Sequence, residues 1–191
     1  MREYIVKKID IEDAIAAPVD LVGWEEFPYK PETNAFLSHN GEELFIKLQT
    51  DEKDLRAVMT AQNSAVCQDS CMEFFIRPNK DDARYFNFEI NPIGTLHLGF
   101  GDNRHNRLKL SDKEIFKIKS VIENGIWTIT FRIPFSFFRE YTGFSKECYA
   151  NFYKCGEGTD HSHFCTWNKV ETPAPDFHQS SFFGRLVFEE I

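Results

Sequence analysis

Residues 120–134, SVIENGIWTITFRIP, limit what this chain can fold into more than any other stretch. Asn124-Gly125 is the pair a two-residue hairpin turn favours, because both central residues of that turn sit at positive φ. The run after it sets Trp127, Ile129, Phe131 and Ile133 against Thr128, Thr130 and Arg132, the period-two pattern of a strand with one buried face. FKIKSVI (116–122) precedes the turn as its partner strand.

The same pattern recurs between turn signals along the chain. ELFIKLQT (43–50) follows an Asn-Gly turn, and CMEFFIRP (71–78) turns Met72, Phe74 and Ile76 to one face and Glu73, Phe75 and Arg77 to the other. YFNFEIN (85–91) is read as burying Phe86, Phe88 and Ile90 and presenting Tyr85, Asn87, Glu89 and Asn91 to solvent. TLHLGF (95–100), YANFYKC (149–155), HFCTW (163–167) and GRLVFEE (184–190) complete the set, while FSFFREY (135–141), after Pro134, reads as a short helix. With 20 Phe, 6 Tyr and 3 Trp in 191 residues, rings that fit a pleated surface are abundant. Nine to eleven short strands with one short helix predict an all-β antiparallel sandwich of immunoglobulin or jelly-roll type. No linker divides residues 1–191, so one domain is expected. Trp127 is assigned to the core and Trp24 to packing; Trp167 is left between a lid and a binding platform.

The balance of 22 basic against 30 acidic residues gives a net charge of −8, which argues against nucleic acid or an anionic membrane as partner. No apolar run is long enough to span a bilayer, and the charged start lacks the core of a signal peptide. This predicts a cytoplasmic protein, or a secreted one if a leader has been removed. Five cysteines, an odd number without CxxC spacing, predict reduced and mostly buried thiols.

Chemistry-bearing residues fall into a few groups. Glu73, Asn87, Glu89 and Asn91 form a candidate polar platform on two paired strands; the alternative is a solvated sheet face with nothing bound. In PAPDFHQSSFFGRLVF (173–188), prolines stiffen the approach to Phe177 and His178, and Phe177 is read as a displayed ring. The alternative makes Phe177 a plug at the sandwich edge. Cys155, His161, His163 and Cys165 match a zinc pattern only loosely, and Asp81, Asp82 and Asp102 are candidate oxygen donors for a structural calcium. Glu73 and Glu89 superficially resemble a glycosidase pair, but an open sheet face supplies no desolvation and no recognisable nucleophile, zinc-protease or phosphate-loop motif occurs. No catalytic residue is assigned, and no cofactor beyond possible calcium.

Taken together, QDSCMEFFIRP, YFNFEINPIGT and the closing W…PDFHQSSFFGRLVF resemble the family 9 carbohydrate-binding modules, within the wider group of DOMON-like sandwiches. The resemblance implies a non-catalytic β-sandwich that grips terminal sugars between aromatic rings, often with structural calcium and in the service of a glycoside hydrolase. It implies that Glu73 accepts from sugar hydroxyls, that Asn91 matches the family's asparagine, and that Phe177 stands at one clamp position with His178 beside it. Glu89 stands where the family has a basic contact, and Val66-Cys67 stands where the other clamp ring would be. Two further readings accompany it: an assembly domain that has lost its clamp, and a haem-binding module using His97, His178 or Met72.

Overall fold

A computed structural model describes residues 1–111 and 114–191. In chain order its strands are β1 (Glu3–Val6), β2 (Ala17–Pro18), β3 (Leu21–Val22), β4 (Thr33–His39), β5 (Glu43–Thr50), β6 (Cys71–Arg77) and β7 (Tyr85–Ile90). There follow β8 (Leu96–Gly101), β9 (Arg107–Lys109), β10 (Lys119–Glu123), β11 (Ile126–Pro134), β12 (Glu147–Cys155), β13 (Phe164–Thr166) and β14 (Gly184–Phe188), with helix α1 (Phe135–Tyr141) after β11. They form two facing sheets, a sandwich of mostly antiparallel strands. The larger runs β1-β14-β12-β6-β7-β8-β9, with β13 on β12 and β3 on β13; the smaller runs β10-β11-β5-β4-β2.

The fourteen strands among the described residues exceed the expected number in part because β2, β3 and β9 are two or three residues long, too short to show a period. The pairing of β1 with β14 is parallel, against the antiparallel expectation. Strand β4, which the sequence reading passed over, is a full central partner of β5. Phe116 was assigned to a strand; it is buried in a 3-10 turn instead, and β10 begins at Lys119.

The hairpin forms as its turn residues require, with Asn124 at φ 53° and Gly125 at φ 79°, Glu123 facing Ile126. Between the sheets, Met72, Phe74, Ile76, Phe86, Phe88 and Ile90 meet Leu44, Ile46, Leu48, Trp127, Ile129 and Phe131. The Trp127 indole N–H donates to Ser120 Oγ at 2.9 Å, so the largest buried ring leaves no polar atom unpaired. Trp24 and Trp167 are also buried.

One edge of β12 serves two strands. Glu147–Ala150 pair with β14, and Tyr153–Cys155 pair with β13. Asn151 fills the fork: its Oδ1 accepts from Asn168 N at 2.8 Å and its amide donates to Asn168 O at 2.9 Å. Those bonds replace the ladder that neither strand supplies there.

The outer face of the large sheet is not solvated. A second apolar cluster covers it, including Trp24, Val66, Phe75, Tyr85, Tyr153, Phe164, Phe177 and Phe183. Every residue of β7 is buried as a result. The polar-out reading of Tyr85, Asn87, Glu89 and Asn91 is therefore corrected: they face outward from the sandwich core but lie beneath the segments around 56–70 and 164–183.

Candidate functional site

Register builds the site. On the outer face of the large sheet, Tyr153 of β12 lies opposite Glu73 of β6, Glu73 opposite Glu89 of β7, and Glu89 opposite His97 of β8. One step along, Asn151, Phe75, Asn87 and Gly99 form a parallel row. Directly opposed residues bring their Cβ atoms within about 5 Å, so the two carboxyls are neighbours.

Burial dominates their chemistry. Desolvation pushes the Glu73 carboxyl well above its ordinary value, and the nearby Glu89 carboxyl pushes the same way. Glu89 is also raised by burial, with His97, the Asn87 amide and Arg107 opposing. Two facing carboxylates cannot both hold a full charge in so dry a place. Glu73 is the more strongly raised of the two, and the Cys155 thiol donates to its Oε1 at 3.0 Å.

Around Glu89 the polar groups are wired together. The Asn87 amide donates to Glu89 Oε1 at 2.7 Å, and Arg107 Nε donates to Asn87 Oδ1 at 3.0 Å. The Arg107 guanidinium lies over the Tyr85 ring, 4.2 Å from its centroid. Tyr85 Oη is hydrogen-bonded to His178 Nδ1 at 2.9 Å, and the His178 ring rests on Phe75. Burial, helped by Arg107 and Arg104, lowers the His178 pKa to about 3, so this ring is neutral at pH 7. The site depends on Gly99: a Cβ there would stand 2.5 Å from Asn87 Oδ1 and 2.9 Å from Arg107 Nε. His97, Arg107 and His178 are half-buried and form the accessible rim, with Arg104 reaching Asp176 from the far side.

Phe177 is a correction. It is 7 % exposed and stacks on Tyr153 with centroids 4.1 Å apart and planes 8° from parallel, with Trp24 and Phe164 on its flanks. Its segment is fastened by Tyr153 Oη donating to the Phe177 carbonyl and the Trp24 indole donating to the Thr172 carbonyl. The ring is a plug, as general burial preference for Phe favours. Asn91 is wholly buried and its amide is fully used: it donates to Asp69 Oδ2 and Met59 O and accepts from Thr95 N. Of the five residues singled out from sequence, Glu73, Glu89 and His178 lie on the same outer face, with Phe177 packed over the neighbouring Tyr153. Asn91 instead pins the segment carrying Met59 and Asp69.

Arg107 escaped the sequence reading, His97 entered it only as a nominal haem ligand, and Asn87 only as part of a polar sheet face. Arg107 ends GDNRHNR (101–107), a polar stretch with no period; the signal available was Gly99 and Gly101 on β8, alternate glycines that clear room for a neighbouring strand's side chain.

Calcium does not fit Asp82, one of the acids proposed for it. The Asp82 carboxylate is taken by Arg84, whose Nη2 stands 2.6 Å away, and that pairing holds its pKa low. The loose zinc pattern also separates. His163 Nε2 faces the buried Lys154–Glu52 ion pair, while Cys165 Sγ lies 3.9 Å from the Tyr29 carbonyl. Met72 sits in the inter-sheet core, on the opposite sheet face from His178, so the two share no haem site. Among the described residues, one group brings three metal-ligating side chains together: Cys71, Glu73 and Cys155. A cleft of about 680 Å³ runs elsewhere, along β1 between the sheets, lined by Tyr4, Ile5, Ile15, Leu37 and Trp167 among others.

Comparison with known proteins covers nearly the whole chain. Residues 3–188 match the family described as carbohydrate-binding family 9. A crystal structure of a candidate carbohydrate-binding protein from Bacteroides uniformis is 31 % identical, with a TM-score of 0.89, covering 98 % of this chain and 99 % of that one. A family 9 carbohydrate-binding module from Caldicellulosiruptor kristjanssonii, solved with glucose and with cellotriose, superposes with a TM-score of 0.67 at 11 % identity. It covers 98 % of this chain and 96 % or 94 % of the two solved chains. No functionally curated protein matches.

Proposed function

The chain belongs to carbohydrate-binding family 9, and from that premise we propose that it holds the end of a short glycan over the Glu73–Glu89–His97 row. It does so as a non-catalytic module. The observation that carries the reading is the wired set Glu89–Asn87–Arg107, in which Glu89 and Asn87 are buried and the half-buried Arg107 joins His97 and His178 at the accessible rim. A carboxylate and a guanidinium held this way offer vicinal sugar hydroxyls an acceptor and a donor of fixed geometry, and charge-assisted bonds of this kind are roughly twice as strong as neutral ones. Phe177 and Asn91 support the site structurally: Phe177 is stacked on Tyr153 from the covering segment, and Asn91 pins the segment that carries Met59 and Asp69. A glycoside hydrolase is the partner class such a module serves.

Calorimetric titration of the folded chain with glucose and short gluco-oligosaccharides, led by a glycan array, tests this. Glu89→Gln, which keeps the shape and removes the charge, should weaken binding about tenfold or more, on the roughly 1.5–3 kcal/mol of a hydrogen bond to a charged group. A glycan bound equally well by the folded Glu89→Gln variant places the site elsewhere. Failure of the folded chain to bind any glycan removes the reading and favours the assembly-domain alternative.

A further inference from the structure

We propose that Cys71, Glu73 and Cys155 form a buried structural zinc site. Cys71 and Cys155 are directly opposed in the β6–β12 ladder, and Glu73 follows Cys71 by two residues, so all three project from the same face. Their two Sγ atoms and a carboxylate oxygen all lie within 4.8 Å of one another. A point within about 2.8 Å of all three such atoms therefore exists, about half an ångström outside a Zn–S bond of about 2.3 Å. Side-chain rotation alone closes that gap, with both strands held by their neighbours.

Donor chemistry selects the metal. Two thiolates with one carboxylate suit a borderline-soft divalent ion that accepts tetrahedral geometry, and not the oxygen-only shell calcium requires. Cys71 and Cys155 are 0 and 1 % exposed and Glu73 is 2 %, so the site is closed, as structural zinc sites are. The Cys67 carbonyl, which accepts from Glu157 N at 3.0 Å, also lies 4.0 Å from Cys155 Sγ, and its second lone pair offers the fourth donor. On the inner side Lys154 Nζ donates to the Cys155 carbonyl, placing a cation beside a site that would carry one net negative charge with Zn²⁺ bound. The inference does not depend on sugar binding.

The test is titration of the reduced, chelator-treated full chain with Co²⁺, followed by displacement with Zn²⁺. One equivalent of Co²⁺ should develop thiolate-to-metal charge-transfer absorption that zinc bleaches. Cys71→Ser and Cys155→Ser should each abolish the band, Cys67→Ser should keep it, and Glu73→Gln should weaken zinc binding by more than about tenfold, since even outer-sphere partners are worth 10–100-fold. Zinc, and not calcium, should raise the wild-type melting temperature; that shift, missing in Glu73→Gln, decides the matter where a cysteine variant fails to fold. No charge-transfer band from the folded, reduced wild type would overturn the proposal. So would a band that survives in Cys71→Ser but vanishes in Cys67→Ser, or a stoichiometric Cys71–Cys155 disulfide in the protein as isolated.

Discussion

Gly99→Ala tests the architecture of the site in one methyl group. Gly99 has no positive φ to protect, and alanine is ordinarily better than glycine in a strand by roughly 0.5–1 kcal/mol. On backbone grounds the substitution should stabilise. The new Cβ, however, would stand 2.5 Å from Asn87 Oδ1, 3.3 Å from Asn87 Cγ and 2.9 Å from Arg107 Nε, closer than real Cβ contacts allow. Asn87 is buried and cannot retreat through the sheet, so the Arg107 arm must leave. That forfeits a hydrogen bond from a charged donor, worth about 1.5–3 kcal/mol. The net expectation is a loss of about 1–2 kcal/mol, or roughly 2–8 °C in Tm for a domain of this size. The decisive measurement is a double-mutant cycle by urea denaturation. In an Arg107→Ala background, Asn87 is free to turn its amide, and Gly99→Ala should cost nothing or stabilise, giving a coupling energy of about 1.5–3 kcal/mol. Equal costs in both backgrounds would refute the claim that Gly99 exists to admit the arginine.

Three further outcomes follow from burial. Phe177→Ala should destabilise the fold by about 3–5 kcal/mol through the cavity left between Tyr153, Trp24 and Phe164, read by chemical denaturation; a stable variant would mean the ring is free after all. Acid should destabilise in a defined window. His178 and His163 both have folded-state pKa values lowered to about 3, chiefly by burial, His163 also by Lys154 and His178 by Arg107 and Arg104. The unfolded chain therefore binds more protons, so stability is fully present above about pH 6.5 and is lost as pH falls towards 3, by up to about 2 kcal/mol per imidazole at pH 5. A Tm unchanged between pH 7 and pH 5 would contradict it. Thiol titration of the native, metal-free chain should reach Cys67 alone, which is half-buried, and all five thiols only after unfolding; rapid native labelling of Cys71 or Cys155 would show the outer cluster to be open.

The strands were legible where one face is apolar and the element is long. ELFIKLQT, IWTITFRIP and FSFFREY took their places to the residue, because alternation and a proline boundary are local facts. What alternation cannot say is whether the second face meets water or another layer of chain. Phe75 and Tyr85 among the polar positions of β6 and β7 were the warning: rings on both faces mark a strand covered twice. That cover comes in large part from irregular segments whose apolar residues, Val66, Val170 and Phe177, follow no period. For the same reason Phe177 looked displayed, and Asn91 looked available while its amide was already spent on Asp69 and Met59. Arg107 was hidden because its role depends on the absence of a side chain on another strand.

The parallel pairing of β1 with β14 joins Glu3 to Arg185 across almost the entire chain. A contact of such sequence separation is the costliest kind to form early, since loop-closure entropy falls due before any reward. Strand β14 must first find β12, so β1 is among the last strands to be paired. Until then the edge of β12 lies open, presenting unpaired peptide groups to any passing strand. Slow closure of this seam, and vulnerability of the nascent chain to misassociation while it waits, are built into the order in which the sheet is threaded.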